Sequence, residues 1–140
     1  MNTTRPKTII ASAIVFTVLG LGACQSNTLK KDPEKGVQVR TQLAAEYIRT
    51  GDLDSAKRSL DQALKVDSRD AKANMMMGIL LQQEGSKPNM EKADAYFKRA
   101  ISSEPDNAQA RNNYGTYLYQ IQRYNDAIEQ FTRAGAALGY

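Results

Sequence analysis

The sequence contains no histidine, no tryptophan and a single cysteine, Cys24. These absences remove whole classes of function. Metal sites built on His and Cys need several such side chains around one ion. Ser–His and Cys–His nucleophilic pairs need a base that the chain does not possess. One cysteine cannot form an intrachain disulfide. No cluster of carboxylates converges in the sequence either, so neither a catalytic site nor a cofactor is expected. β-Branched runs are scarce after about residue 37, where Ala, Gln, Leu, Lys and Arg dominate. That composition favours an all-α domain. Charge of one sign is also missing. Of 19 basic residues, Arg5 and Lys7 lie in the first 23 residues, leaving 17 against 15 acidic ones. A balanced surface of this kind is not the basic stripe that nucleic acid requires, and neither nucleic acid nor a small-molecule substrate is expected.

The start of the chain is the place where hydrophobicity is concentrated. Arg5 and Lys7 precede the apolar stretch Thr8–Leu21 of 14 residues. Spanning a hydrocarbon core takes about 20 apolar residues, so this stretch fits a cleavable signal segment over residues 1–23. It ends in Leu21-Gly22-Ala23-Cys24, which resembles a bacterial lipobox. The resemblance implies cleavage before Cys24, acylation of that residue, and attachment to a membrane. Gln25 follows, where an aspartate in similar signals implies retention at the inner membrane. The implied destination is the periplasmic face of the outer membrane. Residues 24–36 are polar, with Pro33 and Gly36, and read as a lipidated, flexible tether reaching at most about 40 Å.

The remainder repeats. Ala93, Phe97 and Ala100 recur 34 residues later as Ala127, Phe131 and Ala134. Upstream, Ala56, Leu60 and Ala63 keep the same spacing, offset by 37. The extra three residues fall at Ser86–Asn89, where Ser and Pro predict a longer loop. Each set follows a partner segment: Leu43-Ala44 with Tyr47, Met77-Gly78 with Leu81, and Tyr114-Gly115 with Leu118. This spacing places a large, a small and a large residue on one helical face. Ala44, Gly78 and Gly115 then let one helix approach Ala56, Ala93 and Ala127 of the next, while Leu60, Phe97 and Phe131 fill the space alongside. The pattern resembles the tetratricopeptide repeat (TPR). It implies an all-α solenoid of three antiparallel helix pairs over residues 37–70, 71–107 and 108–140. The end, Arg133–Tyr140, supplies no polar capping helix, which a solenoid needs to hide its last apolar face. The expectation is a shortened member or an end covered by a partner.

One segment is more specific. Asn112-Asn113-Tyr114-Gly115-Thr116-Tyr117-Leu118-Tyr119, followed by Arg123-Tyr124, resembles the third repeat of the PilF/PilW family of type IV pilus biogenesis lipoproteins. The order of lipobox, polar leash and Tyr47-Ile48-Arg49-Thr50-Gly51-Asp52 is similar too. The resemblance implies a pilotin, which brings the outer-membrane secretin or another pilus-assembly protein to its place. The other reading is a different envelope scaffold, serving outer-membrane protein assembly or recruiting cell-wall enzymes. By family geometry, the first helices of the pairs line a groove for a partner segment. Its residues would be Ile48 and Arg49, then Met75, Ile79 and Gln82, then Asn112, Thr116, Tyr119 and Gln120. Such a mixed apolar and amide surface suits a peptide. Of the three consecutive methionines, Met77 is expected in the core and Met75 on the groove. Tyr114 is expected in the core and Tyr117 off the groove.

Overall fold

The computed structural model describes residues 32–139. The leader, Cys24 and the tether as far as Lys31 lie outside the described residues. The described chain is all helix and turn: α1 (Pro33–Thr50), α2 (Leu53–Val66), α3 (Ala71–Glu84), α4 (Lys87–Ser103), α5 (Ala108–Gln120) and α6 (Tyr124–Ala137). Consecutive helices pair as α1–α2, α3–α4 and α5–α6. The pairs stack through α2–α3 and α4–α5, and through α1–α3 and α3–α5. The result is the three-pair solenoid expected from the repeat pattern. Among the described residues, no helix is long and apolar enough to cross a membrane.

Local chemistry sets the helix starts. Asp32, Asp52, Asp70, Ser86 and Asn107 each turn a side-chain oxygen onto the backbone N–H three residues on. Such a cap stabilises a helix by about 1 kcal/mol. Two of these caps overturn boundaries expected from composition. Asp32 accepts from the Lys35 N–H at 3.1 Å, and Pro33 occupies the first turn, where its missing N–H costs nothing. Residues 33–36 are therefore helix rather than leash, and Gly36 is buried. Ser86 accepts from the Asn89 N–H at 3.4 Å, so residues 87–89 begin α4 instead of extending a loop. The three additional residues are one extra turn: α4 has 17 residues where α2 and α6 have 14. α6 starts without a side-chain cap.

Within each pair the tight turn needs one residue in the left-handed region. Gly51 (φ 82°) and Gly85 (φ 70°) supply it in the first two pairs. The third pair has Gln122 there, at φ 63°, where a side chain costs roughly 1–2 kcal/mol.

The repeat signature forms the core. Ala44, Ala56, Leu60, Ala63, Met77, Leu81, Ala93, Phe97, Ala100, Tyr114, Leu118 and Ala127 are all buried. Gly78 is small because the Phe97 ring lies against it. A Cβ there would sit 2.9 Å from that ring. The two ends depart from expectation. Leu43 is 44% exposed and Phe131 is 38% exposed, while their counterparts Met77 and Phe97 are covered. The reason is stacking. Phe97 is closed over by Tyr114 and Tyr117 of α5, with ring centroids 5.7 and 5.5 Å away. Among the described residues, α6 touches only α5 and nothing closes over Phe131. Between pairs, a side chain latches the turn. Asn74 Nδ2 donates to the Ser68 and Asp70 carbonyls at 3.0 and 2.8 Å. In the corresponding place Arg111 Nε donates to the Pro105 carbonyl at 2.5 Å, and its Nη1 reaches Gln130 Oε1 at 2.8 Å.

Candidate partner-binding groove

The contacts of α3 with both α1 and α5 set the first helices of the three pairs side by side. Their open faces form one continuous surface. Gln82 Nε2 donates to Gln120 Oε1 at 2.6 Å, which ties α3 to α5 across that surface. Ile79 is half-buried one turn earlier on α3. On α5, Asn112, Thr116, Tyr119 and Gln120 are all exposed. Thr116 Oγ1 donates back to the Asn112 carbonyl at 3.0 Å, so its methyl group and its acceptor lone pairs remain for a partner. Arg49 is exposed but bonded to Glu46 on its own helix. That ion pair holds the Glu46 carboxyl below its ordinary value, through the hydrogen bond from Arg49 before any other cause.

Two residues expected on the groove are not there. Ile48 is 8% exposed and Met75 is 2% exposed. Met75 lies in the joint between repeats, where Asn113 Nδ2 approaches its sulfur at 3.4 Å. The positions that face a ligand in an isolated helix pair are consumed in a stack, because the next first helix packs on them. The neighbouring Met76 is buried as well. The surviving surface is therefore Arg49, Ile79, Gln82, Asn112, Thr116, Tyr119 and Gln120.

The sequence reading missed the aromatic end of this surface. Tyr119, 63% exposed, meets Tyr124 edge-on at 5.3 Å between centroids, with an interplanar angle of 62°. Tyr124 is itself exposed and stands at the first turn of α6. The spacing Tyr119–Tyr124 across a tight turn was the available signal. An exposed aromatic pair of this kind offers large contact area at low entropy cost.

The joint behind the groove is rigid. Tyr114 and Tyr117 stack at 6.1 Å. The Tyr114 hydroxyl donates to Asp94 Oδ1 at 2.8 Å, and the Tyr117 hydroxyl donates to the Met90 carbonyl at 2.6 Å. Lys98 and Arg123 also pair with Asp94, at 2.6 and 3.4 Å. Burial first, and then the Asp94 carboxylate, push the Tyr114 hydroxyl far above its ordinary value. Tyr117 is pushed up by burial in the same way. Tyr117 lies off the groove as expected, and it is part of the core.

The tetratricopeptide-repeat family model matches residues 41–89 and 89–138. The chain is a tetratricopeptide-repeat protein. Within that family it is similar to the type IV pilus assembly protein PilF of Pseudomonas aeruginosa. The two are 30% identical over 133 residues, covering 91% of this chain and 52% of PilF. The solved structure of P. aeruginosa PilF superposes with a TM-score of 0.72 at 29% identity, covering 77% of this chain and 47% of the other. The crystal structure of PilW, described as a widely conserved type IV pilus biogenesis factor, gives a TM-score of 0.64 at 31% identity. It covers 71% of this chain and 44% of PilW. This TPR chain thus spans about half the length of PilF.

Proposed function

We propose that this TPR protein is a lipid-anchored pilotin of type IV pilus biogenesis, held on the periplasmic face of the outer membrane through Cys24. Its groove receives a segment of the secretin or of another pilus-assembly protein. The observation that carries the reading is the similarity to PilF across 91% of the chain, beside a lipobox-like Leu21–Cys24 in this sequence. The groove adds a surface of suitable chemistry. The exposed Asn112 amide, and the Gln82 and Gln120 amide atoms that their mutual hydrogen bond leaves over, can bond a peptide backbone, while Tyr119 and Ile79 supply apolar area. Acyl chains contribute about 0.8 kcal/mol per buried methylene, enough for stable attachment when several are present.

The test is the pair Ile79→Ala with Tyr119→Ala. Tyr119 is exposed, and Ile79 packs only on the edge of the core that Phe97, Tyr114 and Leu118 fill. The double variant folds, reaches the outer membrane and yet yields fewer heat-resistant secretin multimers and fewer surface pili. Equal multimers at equal protein abundance would remove the groove from the proposal.

A further inference from the structure

A second surface lies on the outer helices, and its chemistry differs from that of the groove. α2 and α4 do not touch each other. Between them is an open cleft of about 570 Å³, floored by Met77 and Leu81 of α3. That volume accommodates a side chain or two with their backbone, and is too small for a whole helix. Its rim carries three cations, Lys57 from α2 and Lys92 and Arg99 from α4. The one carboxylate on the rim is Glu84, and it accepts from Asn89 Nδ2 at 2.8 Å.

The cations are not equally committed. Lys57 is held by Asp61 at 2.8 Å. Lys92 and Arg99 form no ion pair among the described residues, and both are exposed. Arg99 is positioned nonetheless: its guanidinium carbon lies 4.4 Å from the centre of the Tyr96 ring, which also lines the cleft. Stacking on an aromatic face leaves the N–H edge of a guanidinium free for a carboxylate. Lys92 and Arg99 are seven residues apart on one helix, so they stand two turns apart on one face, about 10 Å along the axis. The extra turn of α4 contributes Asn89 to the wall. Its first residues, Lys87 and Pro88, are exposed and bury nothing.

We infer that this cleft is a docking site for an acidic peptide segment of a partner protein. An apolar side chain of the segment packs against the half-buried Tyr96 ring, above the covered Met77 and Leu81, and flanking carboxylates meet Lys92 and Arg99. Charge complementarity selects the occupant: two free cations stand about 10 Å apart along α4 beside that ring. The site stands independently of the pilus reading, and it shares no residue with the groove: its three cations lie on α2 and α4.

The probe is a fluorescein-labelled peptide, Glu-Glu-Leu-Phe-Glu-Glu, titrated into the full chain in detergent and followed by anisotropy. It binds the wild type, more weakly as salt rises. K92E with R99E weakens binding about tenfold or more while leaving the melting temperature unchanged. If that pair fails to fold, K92A with R99A provides the same reading by neutralisation. Lys72 is exposed in the first turn of α3; R49E with K72E, an equal charge change away from the cleft, on α1 and α3, leaves affinity within about twofold. Replacing the four glutamates by glutamine, or Leu-Phe by Ser-Ser, abolishes binding. The inference is overturned if the glutamine peptide binds as well as the acidic one. It is also overturned if R49E with K72E weakens binding as much as the cleft reversal. A third overturning result is that phosphatidylglycerol vesicles, and not the peptide, bind through Lys92 and Arg99.

Discussion

Gly78 and Gly115 occupy equivalent places in successive repeats, and a methyl group at each should have opposite consequences. A Cβ at Gly78 would stand 2.9 Å from the Phe97 ring, and one at Gly115 would stand 2.7 Å from the Phe131 ring. By distance alone Gly115 is the tighter site. The surroundings reverse the order. Phe97 is 0% exposed and closed in by Tyr114 and Tyr117, so it cannot retreat. Phe131 has an open outer side and can swing away. Overpacking a confined site costs about 1–3 kcal/mol. Replacing glycine by alanine inside a helix returns about 1 kcal/mol. Gly78→Ala should therefore destabilise by up to about 2 kcal/mol, or a drop of up to about 15 °C in melting temperature for a domain of this size. Gly115→Ala should fall between neutral and about 1 kcal/mol more stable. Thermal melts followed by circular dichroism decide the matter. A Gly115→Ala protein as damaged as Gly78→Ala would refute the claim that the outer face of Phe131 is free.

Three further outcomes are expected. Gln122→Gly relieves the left-handed strain at φ 63°, and after the loss of backbone entropy should stabilise by about 0.5–1 kcal/mol; an unchanged or lower melting temperature would count against it. Tyr114 has its pKa raised from the ordinary 10.0 in the fold, chiefly by burial. Its stabilising effect is therefore complete below pH 10 and disappears as pH rises through the folded value. Between pH 9 and pH 11 the wild type should lose melting temperature more steeply than Tyr114→Phe, and parallel losses would contradict this. Cys24→Ser should end incorporation of labelled palmitate and detach the protein from the outer membrane; label on the variant would refute lipidation at that residue.

The fold was legible because the signal is redundant. The small–large alternation at Ala44, Gly78 and Gly115, and again at Ala56, Ala93 and Ala127, reports helix contacts directly, and each contact recurs. Helix starts were less legible. Asp32-Pro33 and Ser86-Lys87-Pro88 were read as breaks because Pro and polar residues interrupt most helices. At the first turn they begin them instead. The groove was half legible. Helical spacing picked out residues that stay exposed on α5, Asn112, Thr116, Tyr119 and Gln120, but Ile48 and Met75 are buried, and spacing within one helix cannot register the neighbour that covers it. Leu43 and Phe131 failed for the complementary reason: the period marks them as core, and at the ends of the stack no neighbour arrives. The cleft between α2 and α4 left no mark in any single repeat, because Lys57 and Lys92 belong to different ones.

The solitary contact of α6 with α5 has a dynamic consequence. Among the described residues, α3 is gripped by α1, α2, α4 and α5, whereas α6 has one supporting helix, no side-chain cap and a strained entry at Gln122. In a chain whose contacts run only between near neighbours, opening begins at the most weakly held helix, in steps of unequal free energy. Amide protons of α6 should exchange with solvent first and those of α3 last. Tyr124, at the root of α6, is in contact with Tyr119 on the groove. A partner that clamps Tyr119 would therefore slow exchange along α6, well beyond the residues it touches, and the terminal helix becomes an internal gauge of occupancy.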